Sequence, residues 1–406
     1  MARGLPGATF SVLVVLFARE ASAAPRCELG PHAWLEGRIA DGSEKLARAV
    51  DARRGETLDV FVAVPGKLDG RAVVFGESGA RGRVSWTGAG CPGATVSWRR
   101  VEPRMQHQAT PAPNADVALY ANAVIFGPKH GTWIGFDHIE YFDSPIDSPI
   151  LGTGGWTLHV ADAAPTEPTA RKRDTALLPF GTMRLAAAVA AGSQAAATPG
   201  AGDTPGGAIA DSVFRYSFRR DDGFVGWLTS FFNVPYVFGS AGKGAKSQTE
   251  RRVGADCADV LVAALRRTGA RNFEYASVMY LIDHLPHVSA PAEIAACAPS
   301  SACAAATPPL HFGRDVRPGD LLALDYVGVA ELPRPWDHIV AVVEDRGPNG
   351  VADGVLGPDD LVADSGDAAG LKFAPLREQG AVRVVVLRPP ANVSEAGARS
   401  RRDQPP

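Results

Sequence analysis

The stretch GADCADVLVAALRRTG, residues 254–269, decides how the C-terminal half of the chain is read. Val260, Leu261, Ala264 and Leu265 follow Cys257 at offsets of 3, 4, 7 and 8, the spacing of one helix face. Asp256 is of the type that caps a helix start, and Gly269 follows the basic pair Arg266–Arg267 as a stop. The spacing therefore predicts a helix whose first turn carries Cys257. Unpaired N–H groups and the helix dipole favour a thiolate there. Asp259, in the same turn, opposes it, so the helix alone cannot activate the thiol. Two readings stand level at this point: a nucleophile served by a base, or a small buried side chain, which is a common place for a free cysteine.

Working outward, GFVGWLTSFFN (223–233) reads as a second helix upstream. DLLALDYV (320–327), HIVAVVED (338–345), DLVADSG (360–366) and VRVVVLRP (382–389) read as strands downstream. Helices followed by strands predict an α+β domain with a mostly antiparallel sheet. A nucleophilic Cys257 needs a base, and the domain offers His284, His287, His311 and His338. His338 opens an apolar strand and shares a face with Val340 and Val342, which suits it best to meet a helix N-terminus. Asp364, on the same face as Val362, is the candidate for orienting the imidazole. Asp337 is expected on the opposite face, at the surface.

The remainder sets compartment and organisation. Residues 1–24 carry Arg3, the short apolar run ATFSVLVVLFA and the small-residue stretch ASAAP, as a signal peptide does; an N-terminal buried helix is the other reading. The run is too short to span a bilayer, and no later segment is long enough, so the mature chain is expected to carry no transmembrane segment and to be periplasmic or extracellular. Export gives the five cysteines a meaning. Cys27 can pair with Cys91 and Cys297 with Cys303, which leaves Cys257 over. Residues 25–163 hold short β-branched and aromatic runs between turn signals, predicting an all-β, sandwich-like domain. Residues 164–210 are rich in Ala, Gly and Pro and read as a linker, with RLAAAVAA (184–191) a possible helix. Residues 211–389 form the α+β domain, and 390–406 a polar, disordered tail. The net charge of −3 argues against nucleic acid as a partner.

VPYVFGSAG (234–242), GADCADVLVAAL (254–265), RPGDLLAL (317–324) and DHIVAVVED (337–345), in that order, resemble the NlpC-type cell-wall cysteine peptidases, a papain-like fold. The likeness covers about residues 225–388. It implies Cys257 as nucleophile, His338 as base, Asp364 as third residue, Tyr236 lining the site and Asp256 as the acid before the nucleophile. No cofactor is implied. The chain departs from the pattern where the family has Ser-Gly after the cysteine and here stand Ala258 and Asp259. It also has Asp364 where His, Asn or Gln is usual, and insertions near 240–253 and 286–310. The resemblance implies an exported hydrolase cutting peptidoglycan stem peptides or another cell-envelope polymer. The alternatives are a binding protein that has lost activity, and an amidase or acyltransferase with another exported substrate.

One further motif is weaker. In DRGPNGVADGVLGPDD (345–360), Asn349, Asp353, Gly354 and Asp360 fall at positions 1, 5, 6 and 12 of a calcium-loop pattern. Val351 at position 3 has no ligating atom, and a solvated Gly-rich hairpin is the competing reading.

Overall fold

The computed structural model describes residues 24–40, 45–77, 82–106, 138–146, 153–166, 175–204, 209–237, 240, 248–298, 303–328, 336–367 and 370–390. Residues 1–23 of the expected signal peptide and 391–406 of the expected tail lie outside them.

The fold is mostly β-sheet with few helices. In chain order the strands begin with β1 (Cys27–Leu29), β2 (Trp34–Ile39), β3 (Ala49–Arg53), β4 (Leu58–Leu68), β5 (Arg71–Phe75) and β6 (Thr95–Gln106). They continue with β7 (His138–Pro145), β8 (Thr153–Gly154), β9 (Thr157–Val160), β10 (Gly181–Ala191), β11 (Gln194–Ala197) and β12 (Phe214–Arg219). Three helices follow among the described residues: α1 (Phe224–Thr229), α2 (Cys257–Arg267) and α3 (Val278–His284). The chain then returns to sheet with β13 (Ala292–Ile294), β14 (Leu321–Tyr326), β15 (His338–Glu344), β16 (Leu361–Asp367), β17 (Gly370–Pro375) and β18 (Val382–Leu387).

These strands make three six-stranded sheets. The first runs β1-β4-β9-β8 with β2 and β5 also on β4, and the second runs β3-β12-β10-β6-β7 with β11 on β10. The third is β13-β18-β14-β15-β16-β17, antiparallel throughout.

The linker expectation for 164–210 is corrected here. The RLAAAVAA run is a strand, not a helix, and β10 lies between β6 and β12 at the centre of the second sheet. Ala is the best helix former, so local propensity pointed the wrong way. Tertiary packing decides instead: Gly181–Ala187 is buried at every position, as a strand covered on both faces must be. Gly192 (φ +61) and Ser193 form the two-residue hairpin loop into β11. β12 joins the same sheet and pairs in parallel with β3, so this sheet draws on both sides of the boundary expected at 210.

In the third sheet the strands bury both faces. Leu321, Ala323, Ile339, Ala341 and Ala363 pack with the apolar face of α2 in the main core. Their neighbours Leu322, Leu324, Val340, Val342 and Val362 fill a second core on the other face. Each fully buried Leu or Val contributes about 1.5–3 kcal/mol, so the two cores hold this sheet rigidly behind α2.

Cys27 is disulfide-bonded to Cys91, and Cys297 to Cys303, with Cα separations of 5.8 and 5.9 Å. Cys257 is free and buried. Among the described residues no helix is long and apolar enough to cross a membrane.

Candidate active site

The site is assembled at the start of α2. Asp256 is its N-cap, in extended conformation, and its carboxylate accepts the Asp259 N–H at 2.8 Å. That bond satisfies one of the donors a helix start leaves unpaired. Asp259 is buried and accepts the Ser240 hydroxyl at 2.7 Å. Ser240 Oγ in turn receives the Asp256 N–H at 3.3 Å and lies 2.7 Å from the Thr249 hydroxyl. Asp259 is thus part of a buried polar network that ties Ser240 and Thr249 to the helix start.

The Pro-Tyr segment is drawn to the same place by backbone pairing. The Ala255 N–H donates to Pro235 O at 3.0 Å, and the Val237 N–H to Ala255 O at 3.3 Å. Two glycines permit this close approach. A Cβ on Gly254 would stand 2.7 Å from Val237 Cβ, and one on Gly370 (φ +66) would overlap the Val234 carbonyl oxygen. Tyr236 is buried as a result, beside Cys257.

His338 begins β15 and meets Cys257 there. The Cys257 thiol is within interaction range of the imidazole, whose Nε2 lies 2.7 Å from Asp364 Oδ1. With Nε2 engaged by the carboxylate, Nδ1 is the nitrogen left for sulfur. Cys257, His338 and Asp364 are 8%, 8% and 5% exposed, so all three work in a largely dehydrated setting. Gly366 borders the imidazole: a Cβ there would stand 3.4 Å from His338 Cε1 and 3.5 Å from Asp364 Oδ1. Asp337, expected at the surface, is half-buried and accepts the Tyr326 N–H at 3.1 Å.

The electrostatics follow from burial and charge. Burial pushes the Cys257 thiol up; His338 pulls it down, Asp256 and Asp259 add to the rise, and the net direction is upward. Burial by itself would depress the His338 imidazole, but the sulfur and the bond to Asp364 outweigh it and push the group up to about 10. Burial works against the Asp364 carboxylate too, yet the bond and charge of His338 hold it below the ordinary range. The Tyr236 phenol is raised by burial and then by the charges of Cys257, Asp256, Asp259 and Asp364, so it stays protonated as a donor.

The structure therefore brings together Cys257, His338, Asp364, Tyr236 and Asp256. Sequence reasoning missed Ser240, Tyr326, Gly366 and Gln379. Gln379, in the 3-10 turn Leu376–Gln379, donates to Asp364 Oδ2 at 2.9 Å. Nothing near Gln379 in sequence signals this, whereas Tyr326 ends the strand paired with β15 and was within reach of a register argument.

The calcium-loop candidates are placed elsewhere, and their oxygens serve the backbone. Asn349 accepts the Val351 N–H and Asp353 the Val355 N–H, both at 3.1 Å. Asp360 accepts those of Arg346 and Gly357 at 2.7 and 2.6 Å. Among the described residues no group of three or more His, Cys, Asp or Glu side chains is arranged to hold a metal. Val351, at the third position of the pattern, is exposed.

No protein-family model, curated protein or solved structure matches the chain.

Proposed function

We propose that this chain is an exported cysteine hydrolase with a papain-like, NlpC-type domain, cleaving amide bonds in peptidoglycan stem peptides. The observation that carries the reading is a single one. A buried thiol at the first turn of a capped helix is within interaction range of an imidazole whose Nε2 is 2.7 Å from a buried carboxylate. This is the nucleophile, base and orienting group of acyl transfer.

In the proposed reaction His338 takes the thiol proton as sulfur attacks the amide carbonyl. Asp364 holds the imidazole and offsets its positive charge. The Cys257 N–H, at a helix position with no intrahelical partner, and the Tyr236 hydroxyl are the donors for the oxyanion. The tetrahedral intermediate collapses, the C–N bond breaks, and His338 gives its proton to the leaving amine. A water, deprotonated by His338, then attacks the thioester, releasing the acid and restoring the thiol.

Peptidoglycan is taken from the family resemblance, and two cross-links support an oxidising compartment. A second reading, a binding protein with an idle cysteine, is favoured by the upward shift of the Cys257 thiol. The pH dependence of iodoacetamide alkylation at Cys257, in wild type and His338→Ala, separates the two. Fast alkylation near neutral pH that slows at least tenfold in the mutant supports the enzyme, and peptidoglycan digests then identify the bond. Slow alkylation, equal in both proteins, sinks it in favour of the binding reading.

A further inference from the structure

We propose that Gln379 and Tyr326 are positioning residues for His338, fixing both the plane of its ring and the nitrogen that carries the proton. The inference deepens the reading of His338 as a base and rests on it.

Four side chains close a ring of contacts. His338 Nε2 lies 2.7 Å from Asp364 Oδ1. Gln379 Nε2 donates to Asp364 Oδ2 at 2.9 Å, and Gln379 Oε1 accepts the Tyr326 hydroxyl at 2.8 Å. The Tyr326 ring returns to the start by stacking on the imidazole, with centroids 6.3 Å apart and planes inclined by 18°.

The direction of every bond follows from its neighbour. Burial, then the charges of Asp364 and Cys257, raise the Tyr326 phenol, so it remains an O–H donor. The ionised Asp364 carboxylate can only accept, so it takes the NH2 end of the Gln379 amide, and the amide oxygen is left to accept the Tyr326 hydroxyl. Oδ2 is then occupied, and Oδ1 is left to accept from His338 Nε2–H. Nε2 therefore keeps its proton in both states of the ring, and Nδ1 is the nitrogen that exchanges one with sulfur; with the group pushed up to about 10 beside the sulfur, the neutral Nε2–H form stands above that pH. Gln379 supports the carboxylate without adding a cation that would compete with the imidazolium.

The ring is also fixed to the backbone. The Tyr326 N–H donates to Asp337 Oδ2, on the residue before His338, and Leu324 pairs with His338 in register. The charged groups around it are Cys257, Asp256, Asp259 and Asp337, together with Lys372, which lies opposite Asp364 in register and is paired with Glu378 at 2.9 Å.

The test compares wild type with Gln379→Met, Tyr326→Phe and Tyr326→Leu in the full chain. It records the pH profile of Cys257 alkylation, the thermal midpoint, and the 15N spectrum of His338 in histidine-labelled protein, assigned against His338→Ala. Gln379→Met keeps the length of the side chain and removes both hydrogen bonds. It is expected to slow alkylation at neutral pH by about tenfold and, in spectra recorded above pH 10 where the ring is neutral, to convert His338 from the Nε2–H form to a mixture of tautomers. Tyr326→Phe, which keeps the stacked ring, should fall between wild type and Tyr326→Leu. A Gln379→Met protein with the wild-type tautomer and pH profile would overturn the proposal, whatever its thermal midpoint. If alkylation proves independent of His338, the hydrolase reading fails on that result, and the 15N spectrum still decides the positioning role.

Discussion

At the scale of single residues, the site is held together by charges that need one another. The His338 imidazole is pushed up to about 10, against an ordinary value of 6.5, and Asp364 is held below the carboxylate range. The folded protein thus keeps the His338 proton at pH values where the unfolded chain has lost it. The stabilisation from His338 is fully present below about pH 6.5 and disappears as pH rises toward 10. That from Asp364 is present above the ordinary carboxylate range and disappears on acidification. Urea unfolding of the wild type between pH 2 and 10 should show both limbs, and His338→Ala should lack the alkaline one. An alkaline limb of equal size in the mutant would show that another group causes it. The neighbouring loop adds a slope of its own. Burial, together with the nearby Asp345 and Asp353, raises Asp360 to about 7, so its contribution is present at acid pH and lost from about pH 4 to 7. An Asp360→Ser control separates that slope from the others.

At the scale of elements, α2 shows how a helix start can serve two needs that conflict. The Asp256 carboxylate caps the helix and raises the thiol beside it. Asp256→Ala should therefore lower stability by about 1 kcal/mol, as loss of a cap does. It should also speed alkylation of Cys257 near neutral pH, because one opposing charge is gone. Chemical denaturation and the alkylation profile of the same variant check the two signs. A slower thiol would mean that Asp256 acts on Cys257 by placing it, with its charge secondary. The helix was legible in the sequence because its cap, period and stop are all local, and Cys257–Arg267 follows Asp256 as the pattern predicts. His338 and Asp364 were marked by their apolar flanks, but strand alternation misplaced them: Val340, Val342 and Val362, expected on their face, fill the core on the side away from α2. β10 was not legible: Ala carries no polar–apolar alternation to read, and its partners β6 and β12 lie on either side of it in sequence. Gln379 was out of reach altogether. It meets Asp364 across the turn that follows β17, and only the folded sheet makes them neighbours.

At the scale of the molecule, the second sheet is built into the support of the site. Arg184 of β10, in the stretch that reads as linker, is buried and donates to the carbonyls of Arg251 and Arg252 at 3.2 and 2.9 Å, just ahead of Cys257. Asp51 of β3 accepts from Arg215 of β12 at 2.9 Å and from Arg267, the last residue of α2, at 3.4 Å. Arg252 adds to this cluster. It is 1% exposed, its guanidinium lies over the Phe231 ring at 3.4 Å, and burial depresses it to about 9 while the charge of Asp51 offsets part of that loss. Neither terminal nitrogen of Arg252 has a hydrogen-bond partner, so the Asp51 charge is a main compensation for placing a cation there. Burial works against ionised Asp51, but Arg215, Arg252 and Arg267 more than offset it and hold the carboxyl well below its usual range. Asp51→Asn keeps the shape and removes the charge. With the side chain 18% exposed, the expected loss is about 2–4 kcal/mol, at or somewhat below that for breaking a fully buried pair. The loss should be largest above the ordinary carboxylate range and shrink in acid, where the wild type protonates as well. The main core also runs without a break from the first sheet to α2 and the third, so the sheets and the site should unfold together. In wild type, urea midpoints read from far-UV circular dichroism and from exposure of the Cys257 thiol should coincide. In Asp51→Asn the thiol should become exposed at lower urea than the sheets are lost, because the end of α2 has been released from β3. Separate midpoints already in wild type would show that the third sheet and its helix form an independent folding unit and that the Asp51 cluster only docks it.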